Sequence, residues 1–452
     1  MSLRLLHRPL LRCLPLAAIF VSGALSAAPY SLGLNDPANI WDAPVPGFTG
    51  PDGEGKARLP DGFDGFSNAR NFVNPIFFGW ARSASDYLRA DGQAAYNNPS
   101  VALGLVTGDE FDVVSLGEYT AAQVGKVTLQ FTDAEHPAPI RNLPGADFVV
   151  FENGVVSQSG TGGATVGGVF GELAFVEVSS DGVNFARFPS VSLTPGPVNP
   201  YGTLDPSKIF NLAGKHVNAA GESWGTPFDL AALANHPLVT GGLLDLNNVR
   251  HVRIVDVPGN GGFYDSAQPV PHQIFDPSPT YGSGGFDLEA IGVISVSITF
   301  DAWQDLPWLP NPEGQPGYHG LTGAQRGPMA DPDGDGVPNI VEYACAMHPL
   351  APDSGLLPAP ASGSQDFAIS FRRDTRVSDV TVEVLAASAL DQPWQIIARS
   401  TSGGPLVPVG SFSPWIEDAS DSPIASIGVI RRHRVHAVAG KQFFKIKVSL
   451  AP

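Results

Sequence analysis

The sequence predicts an all-β chain built from an N-terminal jelly-roll-like β-sandwich, half of an EF-hand calcium loop with a short helix, and a small C-terminal β-sandwich. Three observations predict it. The 452 residues carry 51 Gly and 42 Pro, a composition of many short strands joined by turns. Short apolar or alternating runs recur between turn signals on both sides of the chain's middle. Between them lies one acidic twelve-residue stretch with the spacing of a calcium loop.

The first 27 residues read as a secretory signal. Arg4, Arg8 and Arg12 make a basic start, residues 13–25 an apolar core, and Ser26, Ala27 and Ala28 small residues suited to cleavage. The core is too short for a membrane span, and no later stretch is long enough. The expected location is therefore secreted or at the cell surface. Losing this segment leaves Cys345 alone, so no intrachain disulfide is available. The formal charge of −18 becomes about −21 without the three arginines. Such acidity excludes nucleic-acid binding through a basic face and suits cation sites outside the cell.

Residues 28–300 form the first expected domain. Its opening is irregular; strands then follow at 126–131, 147–151, 173–178, 251–256 and 290–300. Residues 227–235 read as one helical turn packed on a sheet. Residues 301–330, rich in Pro and Gly, read as a linker whose Trp303 and Trp308 dock on something. The calcium loop and helix occupy 331–350, and a second linker 351–365. Strands at 367–371, 380–384, 394–397 and 443–448 make 366–452 the C-terminal β-sandwich.

The loop reads Asp331-Pro-Asp333-Gly-Asp335-Gly336-Val337-Pro338-Asn339-Ile-Val-Glu342. A hard cation such as Ca2+ takes six to eight oxygens at about 2.3–2.6 Å. Asp331, Asp333 and Asp335 supply carboxylates, Val337 its backbone carbonyl, Asn339 a contact through water, and Glu342 two closing oxygens. Gly336 permits the sharp turn. The alternative is a solvated acidic turn, which does not require the glutamate in register. No entering helix is expected, because Gly320, Gly323, Gly327 and Pro328 oppose one. An exiting helix is expected, with Pro338 in its first turn, a stripe of Ile340, Val341, Ala344 and Met347, and Pro349 as its stop. Cys345 falls on the apolar side as a buried, inert thiol. A lone loop without a helix pair rigidifies a junction; it does not signal.

Acidic residues gather upstream: Glu152, Asn153, Glu172, Glu177, Asp256, Asp265, Asp276, Asp287 and Glu289. Glu152, Asn153, Asp256 and Asp287 fall at strand ends and form a candidate second metal site, against the plain reading of turn and edge residues. Trp224, Tyr264, Tyr281 and Phe286 lie in Gly-rich stretches and are candidate ligand-stacking residues, against the plain reading of buried loop anchors. The chain shows no H-E-x-x-H or phosphate loop, which favours binding over catalysis.

Two stretches resemble known groups. Val114-Ser-Leu-Gly117, 144–154, 175–185, Phe228-Asp-Leu230, Val252-Arg-Ile-Val-Asp256 and Gly285-Phe-Asp-Leu-Glu-Ala-Ile-Gly292 resemble a largely uncharacterised family of bacterial cell-surface proteins, over about residues 100–300. The acidic loop resembles thrombospondin type 3 and dockerin calcium repeats, and 331–452 resembles a C-terminal module of Verrucomicrobia-like secreted proteins. The resemblances imply an exported calcium-binding surface protein that takes an extracellular glycan or a nutrient such as a corrinoid, beside other envelope proteins. Competing readings are a carbohydrate-active hydrolase using the upstream carboxylates and a structural surface or matrix component.

Overall fold

The computed structural model describes residues 43–49, 55–57, 71–120, 123–134, 138–306, 308, 321–361, 367–421, 427–438, 440 and 443–451. The expected signal segment lies outside the described residues. Strands make up 36% of the structure and helices 9%, so the all-β expectation holds.

Alternation of side chains places the core. In Phe148–Glu152, Phe148 and Val150 join one apolar cluster while Val149 and Phe151 join another. This strand is therefore buried on both faces, which explains its nearly continuous apolar run. It pairs antiparallel with Trp224–Phe228 on one side and Asp287–Val293 on the other. Val45–Pro46, Val114–Ser115 and Gly79–Trp80 complete the six-stranded sheet. A five-stranded sheet runs Ala186–Arg187, Ala174–Ser179, His251–Asp256, Lys126–Gln130, Ser83–Leu88. Its inward residues Val127, Leu129, Val176, Val178, Val252 and Ile254 share the first cluster with Phe148 and Ile291 of the six-stranded sheet.

Toward the C-terminus, one four-stranded sheet orders Ala359–Pro360, Ala368–Asp374, Ile430–His436, Ile416–Ser420; another orders Val407–Pro408, Gln395–Thr401, Val380–Ala387, Phe443–Leu450. Phe371, Val382, Val384 and Val435 pack between them and belong to the same cluster as the upstream core.

Several boundaries differ from expectation. The strand read at 290–300 is Asp287–Val293, because the amides of Ile294 and Ser295 both turn to the Asp147 carbonyl and bend the chain. Phe300–Gln304 is then a helix capped by Thr299. The 301–330 stretch is consequently no free linker at its start: Trp303 and Trp308 are 1% exposed, Trp303 packs against Phe300 and Tyr343, and Trp308 sits edge-on to Trp303 and to His348. The helical turn read at 227–235 narrows to a 3-10 turn, Leu230–Leu233, capped by Asp229. Ile430–His436 escaped the pattern because three arginines and two histidines interrupt it. Arg431, Arg432 and Arg434 bridge Asp418, Asp421 and Glu417.

One buried pair ties the two halves together. Arg376 is clamped by Asp374 through Nε at 2.9 Å and Nη2 at 2.6 Å, and both are essentially inaccessible. Its Nη1 donates to the carbonyls of Ile76 and Ile294, far upstream, and its guanidinium lies 3.6 Å from the Phe78 ring centre.

Candidate metal centre

The acidic loop folds on itself through its own carboxylates. Asp331 accepts from the amides of Gly334 at 2.9 Å and Gly336 at 3.0 Å. Asp333 accepts from the Asp335 amide, and Asp335 from the Val337 amide. Gly336, at φ 90°, adopts a left-handed conformation that costs other residues steric strain. Carboxylate oxygens of Asp331, Asp333 and Asp335 consequently lie within 4.8 Å of one another, the one such trio among the described residues.

The helix Asn339–Cys345 places Glu342 close enough to the trio to feel all three charges. Glu342 is fully buried, and neither carboxylate oxygen has a protein partner; Asp333 Oδ2 is also buried and unpartnered. Burial, then the charges of Asp333, Asp353, Asp335 and Asp331, push the Glu342 carboxyl up to about 9. Burial likewise lifts Asp333 to about 6, against the Asp335 amide bond that lowers it. Unpaired buried carboxylates are costly, and a bound cation removes that cost. The all-oxygen donor set fits a hard divalent ion.

Residues 321–330 form turns with no helix, as expected. Asn339 clamps this approach: its Nδ2 donates to Gln325 O at 2.7 Å and Gly327 O at 2.9 Å, leaving Oδ1 buried and unpartnered. Val337 is buried beside it. Pro338 sits at the helix cap, not inside the first turn, and the helix stops at Ala346, whose φ of 53° is left-handed, before Pro349 is reached. Cys345 is buried and its thiol pushed up to about 12 by burial, consistent with an inert role.

Asp353 is a member of the centre that spacing did not reveal. Its amide donates to Asp335 Oδ2 at 3.0 Å, its Oδ2 accepts from the His348 amide, and its Oδ1 is buried without a partner. Burial, then the Asp335 charge, lifts it to about 7. It lies beyond the twelve-residue motif, so the loop pattern carries no sign of it.

The other candidate residues meet different fates. Glu152, Asp256 and Asp287 are buried at one end of the N-terminal sheets, and Asn153 donates its amide nitrogen to Glu110 O at 2.9 Å and to Asp287 Oδ2 at 3.5 Å. Glu172 and Asp276, outside that set of four, share the same end. Phe286 is wholly buried in the core, which corrects its reading as a ligand-stacking ring. Trp224 begins a strand; its ring covers Gly55 and its indole nitrogen donates to Glu222. Tyr264 and Tyr281 are 56% and 70% exposed. Glu289, a carboxylate of the hydrolase reading, is buried and accepts from the Thr107 hydroxyl, the Gly108 amide and Asn218. No known family model matches the chain, and no curated protein matches it.

Proposed function

We propose that this chain is an exported calcium-binding protein of the cell surface or extracellular space, with a non-catalytic ligand-binding N-terminal domain. The single observation that carries the calcium reading is Glu342, whose two oxygens are buried and unpartnered and whose carboxyl feels the charges of the three clustered aspartates. Ca2+ suits an all-oxygen loop of forgiving geometry with a bidentate glutamate. The loop then acts as a structural pin. Tyr343, next to Glu342, places its hydroxyl 2.5 Å from Ile298 O and 2.8 Å from Asp379 Oδ1. The helix thereby joins the end of the N-terminal region to the C-terminal sheets. In this reading the first domain is a jelly-roll-like β-sandwich and the last a smaller β-sandwich used as spacer or attachment module.

Binding is favoured over hydrolysis because Glu289 is held by backbone and side-chain donors inside the fold. The exposed rings of Tyr264 and Tyr281 offer stacking surfaces for a glycan or a planar nutrient such as a corrinoid. Screening the full chain on a ligand array, with calcium and with chelator, tests this. Tyr281→Ala should weaken any captured glycan or corrinoid by at least several-fold while changing stability by less than about 0.5 kcal/mol. Release of product from an arrayed glycan would instead favour the hydrolase.

A further inference from the structure

A second group of carboxylates surrounds a small, partly open space beside the N-terminal sheets. A cavity of about 10 Å³ is lined by Glu118, Glu172, Asp256, Asp276 and Thr280. That volume matches one water-sized guest. We propose that these four carboxylates hold a second hard divalent cation, with Ca2+ the best match, at the end of the five-stranded sheet.

The strand pattern delivers the ligands. His251–Asp256 alternates, with Val252, Ile254 and Asp256 facing inward, so Asp256 continues a core-facing row as a carboxylate. It pairs with Ala174, two residues after Glu172. Asp276 follows the strand Gln273–Phe275, and Glu118 follows Val114–Ser115.

Backbone bonds aim three of the side chains. Asp256 Oδ1 accepts from the Phe286 amide at 2.8 Å, Asp276 Oδ2 from the Leu173 amide at 2.8 Å, and Glu118 Oε2 from the Thr280 amide at 2.7 Å. Asp256 Oδ2 and Glu172 Oε1 remain buried with no protein partner. Gly259 leaves room for the cluster: at φ +61°, a Cβ there would fall 1.6 Å from Asp276 Oδ1.

No sulfur or imidazole lines the cavity, so the donor chemistry is that of calcium and not of zinc. No three of these carboxylates are gathered within 4.8 Å as those of the Asp331 trio are, so a cation here requires the side chains to move inward.

Native mass spectrometry of the chelator-stripped full chain, titrated with Ca2+, tests the proposal. Two ions are expected for the wild type, one for Glu342→Gln, and one for Asp256→Asn with Glu172→Gln. Circular dichroism verifies that each variant is folded, and terbium luminescence in the Glu342→Gln background gives a second readout should the paired variant fail to fold. There, Tb3+ emission is expected, and Asp276→Asn should weaken it at least tenfold. One ion in the wild type, none in folded Glu342→Gln and no terbium signal would overturn the second site and leave the loop standing. One ion in both the wild type and Glu342→Gln, lost in Asp256→Asn with Glu172→Gln, would sustain the second site and remove the loop.

Discussion

Chelation of the full chain is expected to lower its unfolding midpoint, and added calcium to restore it, with a gain that grows as pH rises. At a free calcium concentration about 100 times the dissociation constant, one site adds about 2.7 kcal/mol. The pH trend follows from the raised carboxyls of the centre. Without metal, folded Asp333, Asp353 and Glu342 titrate near about 6, 7 and 9, whereas unfolded Asp and Glu titrate near about 4. Between these limits the folded state holds more protons than the unfolded one, so metal-free stability falls as pH rises. Calcium replaces those protons, and its benefit is therefore larger at pH 8 than at pH 5. Thermal unfolding with chelator and with calcium across that range checks the sign. Glu342→Gln should remove the loop's share of the calcium gain yet leave the chelated protein folded, because its amide has the shape of the protonated carboxyl.

Arg376→Ala is expected to destabilise the chain by about 3–5 kcal/mol, the usual cost of stranding one partner of a buried ion pair. Asp374 would keep its charge without a guanidinium, and the carbonyls of Ile76 and Ile294 would lose their donor. Urea unfolding measures the loss. Combining Arg376→Met with Asp374→Asn should recover part of it, since removing both charges leaves no stranded ion. If Arg376→Ala unfolds with an unchanged midpoint, Arg376 does not tie the two halves together.

Much of this was legible in the residues because it was local. The Asp331–Asp333–Asp335 spacing, Gly336 and Glu342 lie within one turn and one helix, so sequence distance and spatial distance agree. Strands such as Val380–Ala387 and His251–Asp256 declare themselves by apolar alternation. What sequence spacing hides is convergence. Asp353 reaches Asp335 only because Ala346 turns the chain back after the helix. Glu118, Glu172, Asp256 and Asp276 come from four separate stretches of the chain and meet only when the sheets form. Phe286 illustrates the opposite error: a ring beside glycines suggests an exposed loop, yet its amide is held by Asp256 and its ring fills the core. Trp303 and Trp308 sit in a Pro- and Gly-rich stretch, but their aromatic area is large enough to bind the segment down.

Hydrogen–deuterium exchange of the full chain, with calcium and with chelator, tests the central claim most directly. The loop at 331–337, the helix Asn339–Cys345 and the segments around Ile298 and Asp379 that Tyr343 joins should exchange more slowly with calcium. Glu342→Gln should abolish that protection. Equal exchange of the loop and helix at saturating calcium and in chelator would contradict the account.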